Sequence, residues 1–227
     1  MSGNKFDCEV MDWDLFYDLA KRVAQKIQES GYDPDFVVGL ARGGWVLARV
    51  LCDLLGVKDL VSLKVEHWGV TATPDGKARL KYPFRIDLSG LRVLVVDDIT
   101  DTGESMRLAT EHVISLNPME VRTATLRHID GSEFVPDYFG DEITWRWVIF
   151  PWNIIEDLCN IVPQVAKDAV SFKDIQKKLK KDYKIDIDEE KLSEVFDELD
   201  RRSKGWRPSA LRRSGRSSHG ESPESTP

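Results

Sequence analysis

The stretch Asp97-Asp98-Ile99-Thr100-Asp101-Thr102-Gly103-Glu104-Ser105 gathers acids, hydroxyls and a glycine directly behind an apolar run, Val93-Leu94-Val95-Val96. The run reads as a buried parallel strand, and a helix is expected from about 105 to 116. Backbone N–H groups from Asp101 to Ser105 would open that helix without intrahelical partners. That arrangement suits a phosphate. Gly103 permits a positive φ or a close backbone approach, and the hydroxyls of Thr100, Thr102 and Ser105 add donors. Asp97 and Asp98 suit a diol or a hydrated magnesium ion. Carboxylates beside a phosphate are compatible if they face a sugar while the backbone faces the phosphate.

Two further groups belong with this loop. Phe36-Val37-Val38-Gly39-Leu40 reads as a second buried strand, followed by the tight loop Ala41-Arg42-Gly43-Gly44 and a helix from about 45 to 55 that Gly56 closes. Alone, Arg42 is an ordinary surface residue of a Gly-rich turn; its place behind a buried strand favours an anion contact. Lys64 ends a strand over 60–65. The segment Trp145-Arg146-Trp147-Val148-Ile149-Phe150-Pro151-Trp152 offers flat rings that serve either as core or as a platform for a planar ligand. In an open parallel sheet, ligands bind beyond the carboxyl ends of the strands.

The elements that position these residues follow from periodicity. Leu15, Leu19, Val23 and Ile27 give a helix over 12–30, with Gly31 to end it. Strands are expected at 121–126 and 145–150. Strands alternating with helices imply an α/β fold, a mainly parallel twisted sheet flanked by helices. The polar, turn-rich stretch 66–87 reads as either a mobile loop or a strand pair. Ile175, Leu179, Leu192, Val195, Phe196 and Leu199 suggest two short amphipathic helices. The expected organisation is therefore a domain at 1–165, a small helical appendage at 166–202 and a disordered Ser/Arg-rich tail at 203–227.

Composition removes several function classes. The 227 residues are 41% hydrophobic and 31% charged, enough to bury a core without staples. A net charge of -7 argues against wholesale nucleic-acid binding. Cys8, Cys52 and Cys159 form no CxxC pair, and His67, His112, His128 and His219 have no ligand spacing, so neither a disulfide framework nor a zinc site is expected. No apolar run reaches the length of a membrane span. The polar N-terminus lacks a signal-peptide core, so the cytoplasm is the expected compartment.

The segment 93–105 resembles the phosphoribosyl pyrophosphate signature of the type I phosphoribosyltransferases: apolar strand, two acids, a short spacer, then Thr-Gly and a hydroxyl residue. The resemblance extends over approximately 12–160 and is nearest in pattern to the archaeal and bacterial enzymes acting on hypoxanthine, guanine or xanthine. It implies the type I phosphoribosyltransferase fold, a pyrophosphate leaving group, a homodimer and the cofactor Mg2+. It implies that Asp97 and Asp98 bind the ribose hydroxyls and support magnesium, partly through water. Thr100, Asp101, Thr102, Gly103, Glu104 and Ser105 would cradle the 5′-phosphate, with Asp101 contacting N7 of the purine as general acid/base. Ala41, Arg42, Gly43 and Gly44 resemble the pyrophosphate loop, which in relatives often carries a non-proline cis peptide before its basic residue; Lys64 would be a second contact. Trp147 would stack on the base and backbone near Ile149 would read its edge. Where bacterial xanthine-guanine enzymes have a lysine near the 6-oxo group, this chain offers Arg127 or His128. Relatives close a lid at the place of 66–87. The implied reaction transfers the phosphoribosyl group to N9 of a 6-oxopurine.

Two other readings exist. A receiver-type signalling domain also ends a strand in paired acids, but near its start and with another Asp at a later strand end; here Asp141 follows no apolar strand. A regulator of the same fold that senses phosphoribosyl pyrophosphate and binds nucleic acid would suit the appendage and basic tail. Asp101 and the Arg-Gly-Gly loop favour a working enzyme.

Overall fold

Asp12 opens the first long helix: its carboxylate accepts the Leu15 N–H at 2.8 Å, satisfying one of the donors a helix start leaves orphaned. In the computed structural model, which describes residues 5–70, 73–167 and 169–203, the order is β1 (Cys8–Val10), α1 (Trp13–Glu29), β2 (Phe36–Ala41), α2 (Gly44–Leu55), β3 (Asp59–Val70) and β4 (Thr73–Tyr82). Then come β5 (Arg92–Thr100), α3 (Glu104–Ile114), β6 (Glu120–Ile129), β7 (Tyr138–Ile143), β8 (Trp147–Ile149), α4 (Ile154–Ala166), α5 (Phe172–Tyr183) and α6 (Glu189–Ser203). Gly56 closes α2 in the left-handed conformation, at φ 74°.

Residues 9–152 form one compact unit. Its main sheet has the order β4-β3-β2-β5-β6-β7. Pairing is parallel from β3 through β7, and β4 runs antiparallel to β3 at one edge. This is the mainly parallel, helix-flanked sheet that the alternation of elements predicts. One face buries Leu94, Val96, Ala124 and Leu126 against α1 and α2. The other buries Val38, Val93 and Val95 against Met106, Ala109 and Val113 of α3. Strands covered on both faces carry continuous apolar runs, which is why β2 and β5 stand out in the sequence.

Among the described residues, the second unit combines 5–8 with 153–167 and 169–203. Both expected amphipathic helices are present as α5 and α6, with Ile175, Leu179, Leu192 and Val195 fully buried. Phe172 meets Phe196 edge-on at 5.2 Å, and the Tyr183 hydroxyl donates to Gln164 of α4 at 3.0 Å. Helix α4 therefore groups with the appendage rather than with the sheet, whereas the sequence places the division at 165. The tail beyond Ser203 lies outside the described residues.

The strand-pair alternative at 66–87 is the one adopted: β3 continues past Val65 and β4 folds back on it with irregular register. Strand β7 has no counterpart in the sequence reading. Its residues, Tyr-Phe-Gly-Asp-Glu-Ile, carry a glycine and two acids, a composition that hides an edge strand. Asp141 accordingly lies within β7 and not behind a buried apolar strand.

Close packing sets the short β2–α2 connection. A Cβ on Gly39 would lie 2.7 Å from the Ala48 Cβ and 3.3 Å from the Trp45 Cα, so α2 sits directly on β2. Gly39→Ala is expected to destabilise the protein by about 1–3 kcal/mol, the usual range for overpacking. Thermal denaturation checks this; an unchanged Tm would show that α2 can retreat freely.

Candidate active site

The sheet order places β2 between β3 and β5. The chain leaves β2 in one direction for β3 and crosses back to β5, so loops diverge from the carboxyl ends of β2 and β5. Such a switch point opens a crevice, and the loops at 41–44 and 97–105 meet there.

Their contact admits no side chain. A Cβ on Gly43 would sit 1.6 Å from Asp98 Oδ2, and one on Gly44 would sit 2.6 Å from the Asp97 Cα and 2.7 Å from the Val96 carbonyl. The Ala41–Arg42 peptide bond is cis, at the place the resemblance implies. Lys64 is the β3 register partner of Ala41, which brings its backbone beside the same loop. Beyond the acidic pair, Gly103 takes φ +84°, and a Cβ there would meet the Phe134 Cβ at 2.3 Å. It is the N-cap of α3, whose first-turn N–H groups and positive dipole end lie at the loop.

Asp97 and Asp98 are partly buried side by side. The Asp98 N–H donates to Asp97 Oδ1 at 2.9 Å. Burial pushes the Asp98 carboxyl up to about 6. Burial, followed by the neighbouring Asp98 charge, pushes Asp97 well above the ordinary carboxylate range. Two carboxylates that ionise reluctantly gain from a nearby cation. Among the described residues no group of three or more His, Cys, Asp or Glu could hold a metal by itself. The adjacent carboxylates of the pair are the donor set of a magnesium ion bound by one or two carboxylates together with ligand oxygens.

A cleft of about 410 Å³ opens beside this loop, lined by Asp101, Thr102, Glu104, Ile129, Asp130 and Trp145 among others. Asp101, Thr102 and Glu104 thus share one cleft wall with the turn at 130–133. Glu104 also accepts the Ala78 N–H of β4 at 3.3 Å. Other expected residues are placed differently. Thr100 is 2% exposed, and its hydroxyl donates to Thr125 Oγ1 at 3.2 Å, so that hydroxyl is turned into the sheet and not toward a phosphate. Arg127 is buried between Glu9 and Asp141, which commits its terminal nitrogens. His128 is buried with its ring 5.2 Å from that of Phe139. The Ile149 carbonyl accepts the Met11 N–H at 2.9 Å. Trp147 starts β8, while Trp145, two residues earlier, lines the cleft and is 48% exposed.

The sequence reading includes Trp145 in the aromatic segment but chooses Trp147 as the stacking ring, and it passes over the turn at 130–133. The signal was available: Asp130 and Gly131 follow β6 at its carboxyl end, where the open-sheet rule directs attention.

The raised carboxyls make a prediction for the unliganded protein. A carboxyl whose folded pKa exceeds its unfolded value binds more protons when folded, so stability falls as pH rises between the two values. For Asp98 that window runs from the ordinary carboxyl value of 3.8 to about 6. Asp98→Asn should therefore match the wild type in stability near pH 4 and exceed it above pH 6, by on the order of 1–3 kcal/mol, with a correspondingly higher Tm. Parallel melts across this range check it; a variant less stable at pH 7 would contradict it.

Similarity to known proteins agrees with this geometry. Residues 9–157 match the phosphoribosyl transferase domain family. Over 151 residues the chain is 26% identical to the xanthine-guanine phosphoribosyltransferase of Cereibacter sphaeroides, covering 63% of this chain and 86% of that one. The crystal structure of purine phosphoribosyltransferase from Pyrococcus horikoshii superposes with a TM-score of 0.57 at 31% identity, covering 64% of this chain and 94% of that one. Helicobacter pylori xanthine-guanine-hypoxanthine phosphoribosyltransferase shares the fold, with a TM-score of 0.55 at 17% identity over 65% of this chain and 94% of its own. With a crevice at the switch point, an Arg-Gly-Gly loop seated on paired acids and a matching family model across most of the sheet unit, the chain belongs to the phosphoribosyl transferase domain family.

Proposed function

We propose that this protein transfers the 5-phosphoribosyl group from phosphoribosyl pyrophosphate to N9 of a 6-oxopurine, guanine, hypoxanthine or xanthine, releasing pyrophosphate and the nucleoside monophosphate. The observation that carries the reading is the seating of Gly43 and Gly44 on Asp97 and Asp98, with the start of α3 beyond. A pyrophosphate, a diol and a 5′-phosphate lie in that order along phosphoribosyl pyrophosphate. The choice of a purine rests on the relatives at 26% and 31% identity.

In this reading the first-turn N–H groups of α3, with the hydroxyls of Thr102 and Ser105, hold the 5′-phosphate. Asp97 and Asp98 hold the ribose hydroxyls and would hold magnesium, which supplies charge neutralisation for the leaving pyrophosphate. Arg42, Lys64 and the backbone of 41–44 bind that leaving group. The C1′–O bond breaks as the N9–C1′ bond forms, and Asp101, at the cleft wall, manages the proton at N7. Holding both substrates in line supplies much of the acceleration. The β3–β4 hairpin, in contact with Glu104 through Ala78, acts as the lid that excludes water. Action as a cytoplasmic homodimer belongs to the same proposal.

Pyrophosphate release from phosphoribosyl pyrophosphate with magnesium, offering guanine, hypoxanthine, xanthine, adenine and orotate separately, tests the reading. Release that depends on an oxopurine is the expected result; calorimetric binding without release for any base would replace the enzyme by a sensor. Asp101→Asn should lower kcat by about 10²–10⁴-fold and leave phosphoribosyl pyrophosphate affinity within a few-fold. Near-normal turnover would remove Asp101 from the mechanism. Comparing Trp145→Ala with Trp147→Ala identifies the stacking ring: the variant that raises the base KM more carries it.

A further inference from the structure

Arg127 lies near the carboxyl end of β6, and its side chain is only 5% exposed. Its Nη2 donates to Glu9 Oε1 at 2.6 Å, and its Nη1 lies 3.1 Å from Asp141 Oδ2. Asp141 is its register partner on β7. Glu9 belongs to β1, which is not part of the main sheet: β1 and β8 form a separate two-stranded sheet. Arg146, just before β8, reaches the other oxygen of Glu9 at 3.6 Å. Burial pushes the Asp141 carboxyl up, and the Arg127 guanidinium beside it opposes that shift.

The small sheet carries the segment from Trp145 to Ile149, and Trp145 lines the cleft. No ladder hydrogen bond joins the two sheets among the described strands. Val148 and Phe150 pack into the main apolar core, but apolar contact is non-directional. That packing holds β8 against the core. The bonds of Arg127 are directional and reach both sheets at once. A buried ion triad is a poor source of stability, because desolvation offsets its Coulomb gain. Its use here is location.

We propose that Arg127 is a positioning residue: through Glu9 it clamps the β1–β8 sheet to β6 and β7 and so sets the aromatic segment 145–147 over the base end of the cleft. The clamp rests on the proposed phosphoribosyl transfer to a base for its kinetic consequence, but its structural consequence is independent of that reaction.

The test uses Glu9→Gln, which keeps shape and removes charge, together with Arg127→Met and Arg127→Lys. The clamp predicts that Glu9→Gln and Arg127→Met raise the base KM by roughly tenfold or more and leave the phosphoribosyl pyrophosphate KM within about twofold, with Arg127→Lys recovering part of the loss. Amide exchange should quicken in peptides covering 145–150 and stay unchanged in those covering 92–97. Equal change in both KM values, a lowered Tm with an unchanged base KM, or unaltered exchange at 145–150 would overturn the clamp. If Arg127→Met fails to fold, Glu9→Gln carries the test alone. If the wild type transfers to no base, the functional reading fails while the exchange measurement still decides the clamp.

Discussion

Two glycine α-carbons rest against two aspartates, and the site is organised around that contact. Gly43 and Gly44 lie so near Asp98 and Asp97 that a methyl group at either place would overlap them. The loop that ends β2 and the acids that follow β5 are thus one layer rather than two neighbouring loops. An anion held by the loop is necessarily beside the carboxylates, and the two charges need cations and backbone dipoles between them. Arg42, Lys64 and the start of α3 are where such compensation is available. Burial leaves both carboxyls reluctant to ionise, a penalty that a nearby cation would offset.

The same economy of space recurs outward. Gly39 lets α2 settle on β2, which keeps the connection through Arg42 and Gly43 short. Gly103 turns the chain from β5 into α3 against Phe134 with a backbone conformation that other residues adopt with strain. On the far side of the cleft the parts are less tightly welded. The β1–β8 pair is a small sheet of its own, joined by apolar packing and the Arg127 ion pairs.

Local signals made half of this legible in the sequence. The 93–105 segment is contiguous, so strand, acids, turn and helix start all appear together in the chain, and the Ala41–Gly44 loop follows an equally plain buried strand. What escaped depends on partners distant in sequence. Strand β7 is an edge strand whose glycine and acids conceal its period. Thr100 looks like a phosphate donor until Thr125, on the adjacent strand, is seen to accept its hydrogen. Arg127 looks like a candidate for the base until Glu9 is found beside it, 118 positions away. The grouping of α4 with α5 and α6 is likewise a matter of packing, which periodicity alone does not assign.

The contact between loop and acids is tested most directly by titrating phosphoribosyl pyrophosphate calorimetrically into the wild type and Gly43→Ala. The backbone at Gly43 is in the ordinary helical region, at φ -66°, so alanine adds no backbone strain; its Cβ meets the Asp98 carboxylate first, at 1.6 Å from Oδ2. The account predicts a folded variant whose affinity falls by at least about tenfold. Wild-type affinity in Gly43→Ala would mean that the seating of this loop on the acidic pair does not form the binding site.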